Sequence, residues 1–182
     1  MNWYVIFVKT GKEDDVEKHI SYHFNKSECR LFIPKRRIDE KRKGKLHSVV
    51  KTLFPGYIFI NANMNTNMYY IIKQVPKVYK ILNKSNDFFT TIHNYEMQPI
   101  LQLTQQSSII DYSKGFIENS KICIKSGPLK GLEGLIKRID KRKCRVKVSL
   151  DFMGSEKLVE LGIELLKKPD EKKDNHFFLD SN

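Results

Sequence analysis

The first 110 residues alternate between short apolar runs and stretches whose apolar residues recur at helical spacing. Val16, Ile20 and Phe24 are four residues apart and follow an acidic first turn, which predicts a helix over residues 13–24. Further helices are predicted over residues 63–73 and 95–103, and strands over residues 3–8, 30–34, 49–62 and 77–82. This order of strands and helices predicts a compact α+β domain in which two helices cover one face of an antiparallel sheet.

The sequence FPGYIFI, residues 54–60, is the stretch around which this domain is organised. Proline fixes φ near about −65° and glycine accepts a positive φ, so Pro55-Gly56 suits a type II turn. The chain then reverses just before an aromatic strand, which holds Phe54, Tyr57 and Phe59 in a rigid frame. Taken alone, the same string is also typical of a buried strand with a tight entry.

The second half of the chain predicts a small, all-β barrel. Residues 121–125 alternate polar and apolar, and so do residues 144–150, whose inward face is Val146, Val148 and Leu150. The intervening turn carries three glycines that permit sharp bends and close backbone approach: Gly127, Gly131 and Gly134. Residues 156–168 also fit a helical period, but glycines in a helix cost about 1 kcal/mol each, which favours the barrel.

The composition divides the chain into four parts. Residues 111–119 are polar and lack periodicity, which indicates a linker. We therefore predict an N-terminal domain over residues 1–110, a linker over 111–119, a β-barrel domain over 120–168 and a flexible tail over 169–182.

The net charge points to a nucleic-acid partner, because 33 Lys and Arg stand against 21 Asp and Glu. Seven of the eleven residues from 35 to 45 are basic. This run is either a solvated hairpin tip or a flexible loop that lies along a phosphate backbone. Its candidate backbone contacts are Lys35, Arg36, Arg37, Lys41, Arg42, Lys43 and Lys45.

Several function classes find no support in the sequence. No apolar run approaches the length of a membrane span, and the N-terminus has no basic leader, which predicts a cytoplasmic protein. Three cysteines without a CxxC pair fit reduced thiols. His19 and His23 lie one helical turn apart without a third ligand, so neither a metal nor another cofactor is predicted. With no phosphate loop, paired carboxylates or nucleophile–base pair, we predict that the protein is not an enzyme.

The motifs taken together resemble those of the bacterial NusG transcription elongation factors. The shared features are a Trp-Tyr opening strand, Phe-Pro-Gly-Tyr before the central strand, Val-Pro at residues 75–76, and a C-terminal Gly-Pro-x-x-Gly-x-x-Gly that looks like their KOW domain. The resemblance covers residues 2–168. The basic loop and the charged C-terminal domain look most like the specialised paralog LoaP, a processive antiterminator.

The resemblance implies a fold of an NGN domain followed by a KOW barrel, and a monomer that binds RNA polymerase. The NGN domain would lay an aromatic pocket on the clamp helices of the largest polymerase subunit. The residues that match this pocket are Trp3, Tyr4, Phe54, Tyr57 and Phe59. Members that promote pausing carry Asn-Thr before the proline, whereas this chain has Gln74-Val75, so pause promotion is not expected.

Two partners are open for the KOW domain. In LoaP-like members this domain reads a hairpin in the nascent RNA, which basic strand faces would suit. The candidate RNA contacts are Lys137, Arg138, Lys141, Arg142, Lys143 and Arg145. In general NusG proteins the loop around Phe152 contacts ribosomal protein S10, and Phe152-Met153-Gly154 keeps that pattern. A KOW-type ribosome-associated RNA-binding protein is a further alternative, which the N-terminal aromatic residues disfavour.

Overall fold

A computed structural model describes residues 1–83, 88–105, 107–118 and 121–167; the tail predicted over residues 169–182 lies outside them. The N-terminal half contains the strands β1 (Asn2–Val8), β2 (Cys29–Phe32), β3 (Lys35–Arg42), β4 (Lys45–Thr52), β5 (Tyr57–Ala62), β6 (Val78–Ile81) and β7 (Ile109–Ile110). Its helices are α1 (Glu13–His23), α2 (Thr66–Gln74) and α3 (Asn94–Thr104). The C-terminal half contains β8 (Ser113–Glu118), β9 (Lys121–Ser126), β10 (Ile136–Asp140), β11 (Arg145–Phe152) and β12 (Ser155–Leu165).

The central sheet of the N-terminal half is antiparallel, in the order β2-β5-β1-β6. Side chains alternate between the faces of a strand, so β1 and β5 supply apolar residues to both. Val16 and Ile20 of α1 and Met68 and Ile72 of α2 are buried against one face. The predicted α+β domain, with two helices on one face of an antiparallel sheet, is confirmed.

The other face of this sheet does not face solvent, because the C-terminal half packs on it. Phe54 and Phe59 share one continuous core with Ile100 of α3 and with Val148 and Phe152 of β11. The two halves of the described chain are therefore in direct apolar contact.

One long strand predicted over residues 49–62 is two strands instead. The Pro-Gly turn separates β4 from β5, and β4 pairs with β3 in a second sheet of order β4-β3-β7. The basic run of residues 35–45 is thus a regular hairpin, not a loop. Asn65, whose side chain accepts a hydrogen bond from the Met68 N–H, caps α2, which begins three residues later than predicted.

The C-terminal half is a five-stranded sheet in the order β10-β11-β12-β8-β9. Its described edges are β9 and β10, so the strands form an open sheet where the sequence predicted a barrel. Residues 113–118, predicted as linker, are β8 and pair with β9 and β12. The helical alternative for residues 156–168 is wrong for residues 156–165, which lie in β12.

Two of the three glycines in the turn of the C-terminal half have a positive φ. Gly127 and Gly131 have φ of +96° and +81°, and a Cβ on Gly127 would lie 2.7 Å from the Ser113 Cα. Gly134 has open space around it and no positive φ, so neither reason applies there.

Cys29, Cys123 and Cys144 are free thiols, and burial raises the pKa of the Cys29 thiol. In the part of the chain that the structure describes, no helix is long and apolar enough to cross a membrane.

Candidate functional site

The predicted aromatic residues form a connected cluster on the face of the central sheet that meets the C-terminal half. The Phe54 and Phe59 rings lie 5.8 Å apart, and Phe32, which the sequence analysis missed, lies 6.1 Å from Phe59 and 6.1 Å from Trp3. We call Trp3, Phe32, Phe54, Tyr57 and Phe59 the aromatic cluster. Aromatic pairs at these distances contribute favourable ring contacts in addition to their buried area.

Tyr4 does not belong to this cluster. It follows Trp3 in β1 and so points to the opposite face of the sheet, where it is buried with its ring 5.5 Å from that of Phe89. The structure therefore brings together four of the five residues predicted for the pocket and separates the fifth from them.

A buried carboxylate fixes the turn that carries the cluster. Gly56 has φ of +86°, and its N–H donates to Glu13 Oε1 at 2.6 Å. The Tyr57 N–H donates to the Phe54 carbonyl at 3.1 Å. Glu13 is buried at the start of α1, so the helix holds the turn through this hydrogen bond. The acidic first turn in the sequence predicts the start of the helix but not this contact.

Phe152, at the end of β11, fills the aromatic cluster. Its ring stacks on Phe54 at 5.0 Å with an interplanar angle of 14°, and it meets Tyr57 and Phe59 at 5.2 and 5.6 Å. Only 2% of Phe152 is exposed. Beside it, the Gly154 N–H donates to Glu96 Oε1 of α3 at 2.8 Å. The predicted polymerase contact and the candidate S10 contact are thus buried against each other.

A second set of contacts, which we call the polar clasp, joins the basic hairpin to the C-terminal sheet. Arg36 donates to the backbone carbonyl of Glu160, and Arg145 donates to the backbone carbonyl of Asp39. Arg145 also pairs with the Glu160 carboxylate at 2.9 Å, and the Tyr112 hydroxyl donates to Asp39 Oδ1 at 2.6 Å.

Burial shifts the pKa of two side chains in the clasp. Burial lowers the pKa of the Arg36 guanidinium, with Arg145 contributing in the same direction. Burial, followed by the hydrogen bond to Asp39, raises the pKa of Tyr112. The Nε–H groups of Arg36 and Arg145 are buried and find no acceptor among the described residues.

Gly162 permits the close approach at the clasp. A Cβ at this position would lie 2.5 Å from Tyr112 Cδ1 and 2.9 Å from the Arg37 carbonyl oxygen. Contacts this short do not occur with real side chains, so β12 can meet β3 here because residue 162 is a glycine. The φ of Gly162 is not in the left-handed region. This glycine is therefore not part of a turn motif that the sequence could reveal.

The six predicted RNA contacts divide into five exposed residues and one covered residue. Lys137, Arg138, Lys141, Arg142 and Lys143 are exposed on β10 and the turn that follows it. Arg145, by contrast, has a side chain that is 14% exposed because it lies in the polar clasp.

The basic hairpin is also divided. At its base, Lys35 pairs with Asp14 at 2.7 Å and Arg37 pairs with Asp111 at 3.2 Å, while Arg36 is in the clasp. At its tip, the predicted backbone contacts are exposed: Lys41, Arg42, Lys43 and Lys45. The base of the hairpin thus holds the fold, and the tip remains available to a phosphate backbone.

Comparisons with known proteins agree on one family. The family model described as "Transcription termination factor nusG" matches residues 1–101. The transcription termination/antitermination protein NusG of Rickettsia prowazekii is 28% identical over 92% of this chain and 90% of its own length. The protein of the same description from Vibrio cholerae is 26% identical over 92% of this chain and 96% of its own.

A solved structure also matches most of the chain. It is described as "Domain interaction in Thermotoga maritima NusG", is 25% identical in sequence, and aligns with a TM-score of 0.55 over 88% of this chain and 93% of that one.

Proposed function

The chain belongs to the NusG family of transcription termination and antitermination factors, and on that premise we propose that it is an elongation and antitermination factor. Its N-terminal half binds the clamp helices of the largest RNA polymerase subunit, and its KOW-like C-terminal half binds a hairpin in nascent leader RNA. LoaP-like members likewise bind polymerase with one domain and RNA with the other.

The aromatic cluster is the observation that carries the polymerase contact. Trp3, Phe54, Tyr57 and Phe59 present large rings on one rigid face, and such rings add contact area at little cost in side-chain ordering. In the described arrangement Phe152 covers Phe54, Tyr57 and Phe59. Binding to polymerase therefore requires the C-terminal half to leave the cluster. The solved structure described as "Domain interaction in Thermotoga maritima NusG" is similar to this chain over both halves.

The RNA contact is supported by charge and geometry. Five basic residues are exposed on β10 and the turn that follows it, and we infer that one ligand contacts several of them together. Phosphate contacts of this kind supply affinity, and arginines that reach base edges supply preference for one RNA.

A general factor that contacts ribosomal protein S10 through Phe152 is the second candidate. It too requires opening, because Phe152 is buried in the aromatic cluster. If the protein binds S10 but does not bind the leader RNA, this candidate is favoured over the LoaP-like one. Copurification of RNA polymerase with the full chain would distinguish both of these candidates from a ribosome-associated RNA-binding protein.

The polymerase contact is tested in a variant whose cluster is already uncovered. In the Phe152→Ala background, Tyr57→Ala together with Phe54→Ala should weaken binding to a clamp-helix fragment by about 2–4 kcal/mol for each anchor, roughly 30- to 900-fold. Tyr22→Ala is the matched control, because Tyr22 is 89% exposed on α1, on the other face of the sheet. Unchanged binding in the double substitution would make the assignment wrong.

A further inference from the structure

A groove lies between the two edge strands of the C-terminal sheet. β9 and β10 stand at opposite ends of the strand order, yet side chains of both line one groove of about 630 Å³. Clefts that bind a ligand have volumes of roughly 300–1,000 Å³. Among the described residues, no strand pairs with the free edge of β9 or of β10. Backbone groups along these edges can therefore pair with an added extended segment.

The groove is lined by half-buried apolar side chains and exposed cations. The apolar side chains are four isoleucines of β8, β9 and β10: Ile117, Ile122, Ile136 and Ile139. The cations, which stand against the single carboxylate of Glu133, are Lys121, Lys137, Arg138 and Lys141. Charge complementarity therefore favours an occupant that carries apolar side chains between carboxylates.

The chain carries a segment of this chemistry beyond the described ranges. Residues 174–180 read DNHFFLD, in which Asp174 and Asp180 flank two phenylalanines and a leucine, and no lysine or arginine is present. The apolar side chains suit the isoleucines, and the carboxylates suit the cations. Bases of RNA stack on aromatic rings or guanidinium planes, which the isoleucines do not offer. The apolar part of the groove thus fits this segment better than it fits RNA.

The last described strand carries the chain towards the groove. β12 runs parallel to β8, with Leu165 opposite Gly115. Ile117, which lines the groove, lies two residues further along β8 in the same direction, about 7 Å away. The ten positions from Lys167 to Phe177 can span up to about 35 Å. The segment can therefore reach the groove while the described strands stay in place.

We propose that residues 174–180 of the same chain lie in this groove as an added strand. Alternate side chains of an extended segment point to opposite faces, so Phe177 and Leu179 lie on the isoleucines and Phe178 faces outwards. The segment then covers Arg138 and the cations beside it, and it competes with RNA for them. The competition rests on the proposed function, whereas the docking of the segment does not.

Photocrosslinking in the full chain tests the docking without polymerase or RNA. The variant Phe177→p-benzoyl-phenylalanine is irradiated at low concentration, and the crosslinked peptides are identified by mass spectrometry. The expected product is an intramolecular crosslink to residues 117–139, formed in higher yield than with the same probe at Phe178. Crosslinks between two chains, crosslinks only to the N-terminal half, or no crosslink would overturn the proposal. Equal yields from the two positions would overturn the strand arrangement.

Isoleucine methyl resonances of the full chain provide an independent measurement. Phe177→Ala together with Leu179→Ala should shift the resonances of the four isoleucines in the groove and leave that of Ile72, buried under α2, unchanged. Arg138→Glu should release the segment through charge and produce the same shifts. Lys157→Glu is the matched charge control, because Lys157 is exposed on β12 outside the groove. Equal shifts in the two charge variants would contradict docking at the groove.

Release of the segment should also tighten RNA binding. A short linker gives an effective concentration on the order of 1 mM, and a dissociation constant on the order of 0.1 mM for the segment then fills the groove about tenfold more often than it is empty. Phe177→Ala together with Leu179→Ala should therefore bind a labelled transcript of the protein's own operon leader about tenfold more tightly than the natural chain.

The outcomes separate the docking from the proposed function. If the crosslink to the groove forms but the double substitution leaves RNA affinity unchanged, the docking stands and the assignment of RNA to these cations is wrong. If the leader RNA binds and no crosslink to the groove forms, the docking is wrong and the proposed function stands.

Discussion

The Phe152 ring lies parallel to the Phe54 ring, with centroids 5.0 Å apart, although 98 positions of sequence separate them. Phe54 comes from the Pro-Gly turn of the N-terminal half and Phe152 from the end of β11. An aromatic side chain of the protein thus occupies the place where we expect a partner's side chains to bind. If polymerase binds the aromatic cluster as proposed, closure and polymerase binding are mutually exclusive at this point.

Replacing Phe152 by alanine should raise the affinity of the full chain for a clamp-helix fragment. Each aromatic pair contributes about 0.5–1.5 kcal/mol in addition to area burial, which converts to roughly 2- to 13-fold in affinity for each pair lost from the closed arrangement. The measurement is a titration of the labelled fragment by the variant and by the natural chain.

Leu158→Ala is the control for this substitution, because Leu158 lies in the same half but is 58% exposed. It should leave fragment affinity unchanged. A Phe152→Ala protein that is folded and binds the fragment no better than the natural chain would show that the closed arrangement does not limit polymerase binding.

Gly162→Ala should open the protein by a steric route. A new Cβ would meet Tyr112 Cδ1 at 2.5 Å and the Arg37 carbonyl at 2.9 Å, and overpacking of this kind costs about 1–3 kcal/mol. That cost falls on the closed arrangement, so the Gly154 amide should exchange about 5- to 160-fold faster.

Gly134→Ala provides a matched glycine control. Nothing lies within 4 Å of its added Cβ and its φ is not positive, so its exchange rates should match those of the natural chain. If Gly162→Ala also exchanges at the natural rate, the approach of Gly162 to Tyr112 does not limit opening.

The sequence identifies elements whose pattern is local and misses those whose partners are remote. The alternation of Val146, Val148 and Leu150 gave β11 its inward face, and all three residues are buried. By contrast, β8 has a polar sequence, and its identity as a strand depends on pairing with β9 and β12. Composition carries no information about such pairing.

The candidate site shows the same division. Aromatic residues beside a Pro-Gly turn indicate a rigid cluster, and four of the five predicted members meet there. The fifth, Tyr4, required only strand alternation to be excluded, because Trp3 and Tyr4 are adjacent in one strand. The burial of Arg145 against Asp39 could not be predicted, since it depends on how the two halves pack.

Glu13→Ala should destabilise the turn that carries the aromatic cluster. The Gly56 N–H donates to the Glu13 carboxylate at 2.6 Å in a buried setting, and a buried donor left without an acceptor costs about 1–3 kcal/mol. The free energy of unfolding, measured by urea denaturation, should fall by that amount.

Glu13→Gln tests whether the hydrogen bond is responsible. The amide oxygen can still accept from Gly56, so the loss should be smaller than for alanine. Equal losses in the two variants would assign the effect to the charge at the start of α1 instead of the hydrogen bond to Gly56.

Salt should reveal how many phosphates the C-terminal surface contacts in each arrangement. With five exposed basic residues, log Kd against log salt should have a slope of magnitude about 3.5–4.5, using about 0.7–0.9 per contact. Phe152→Ala frees Arg145 as a sixth contact, which should raise that magnitude to about 4.2–5.4. Arg145→Ala in the same background should return the slope to the five-contact value. Lys114→Ala, a substitution at an exposed cation on β8 that pairs with Glu164, should leave the slope unchanged.

The measurement is fluorescence anisotropy of the leader transcript across a salt series, with a shuffled RNA of equal length in parallel. Tighter binding of the leader than of the shuffled RNA would show sequence or shape recognition in addition to charge, and equal, weak binding of both would leave the S10 contact as the better role for the C-terminal half.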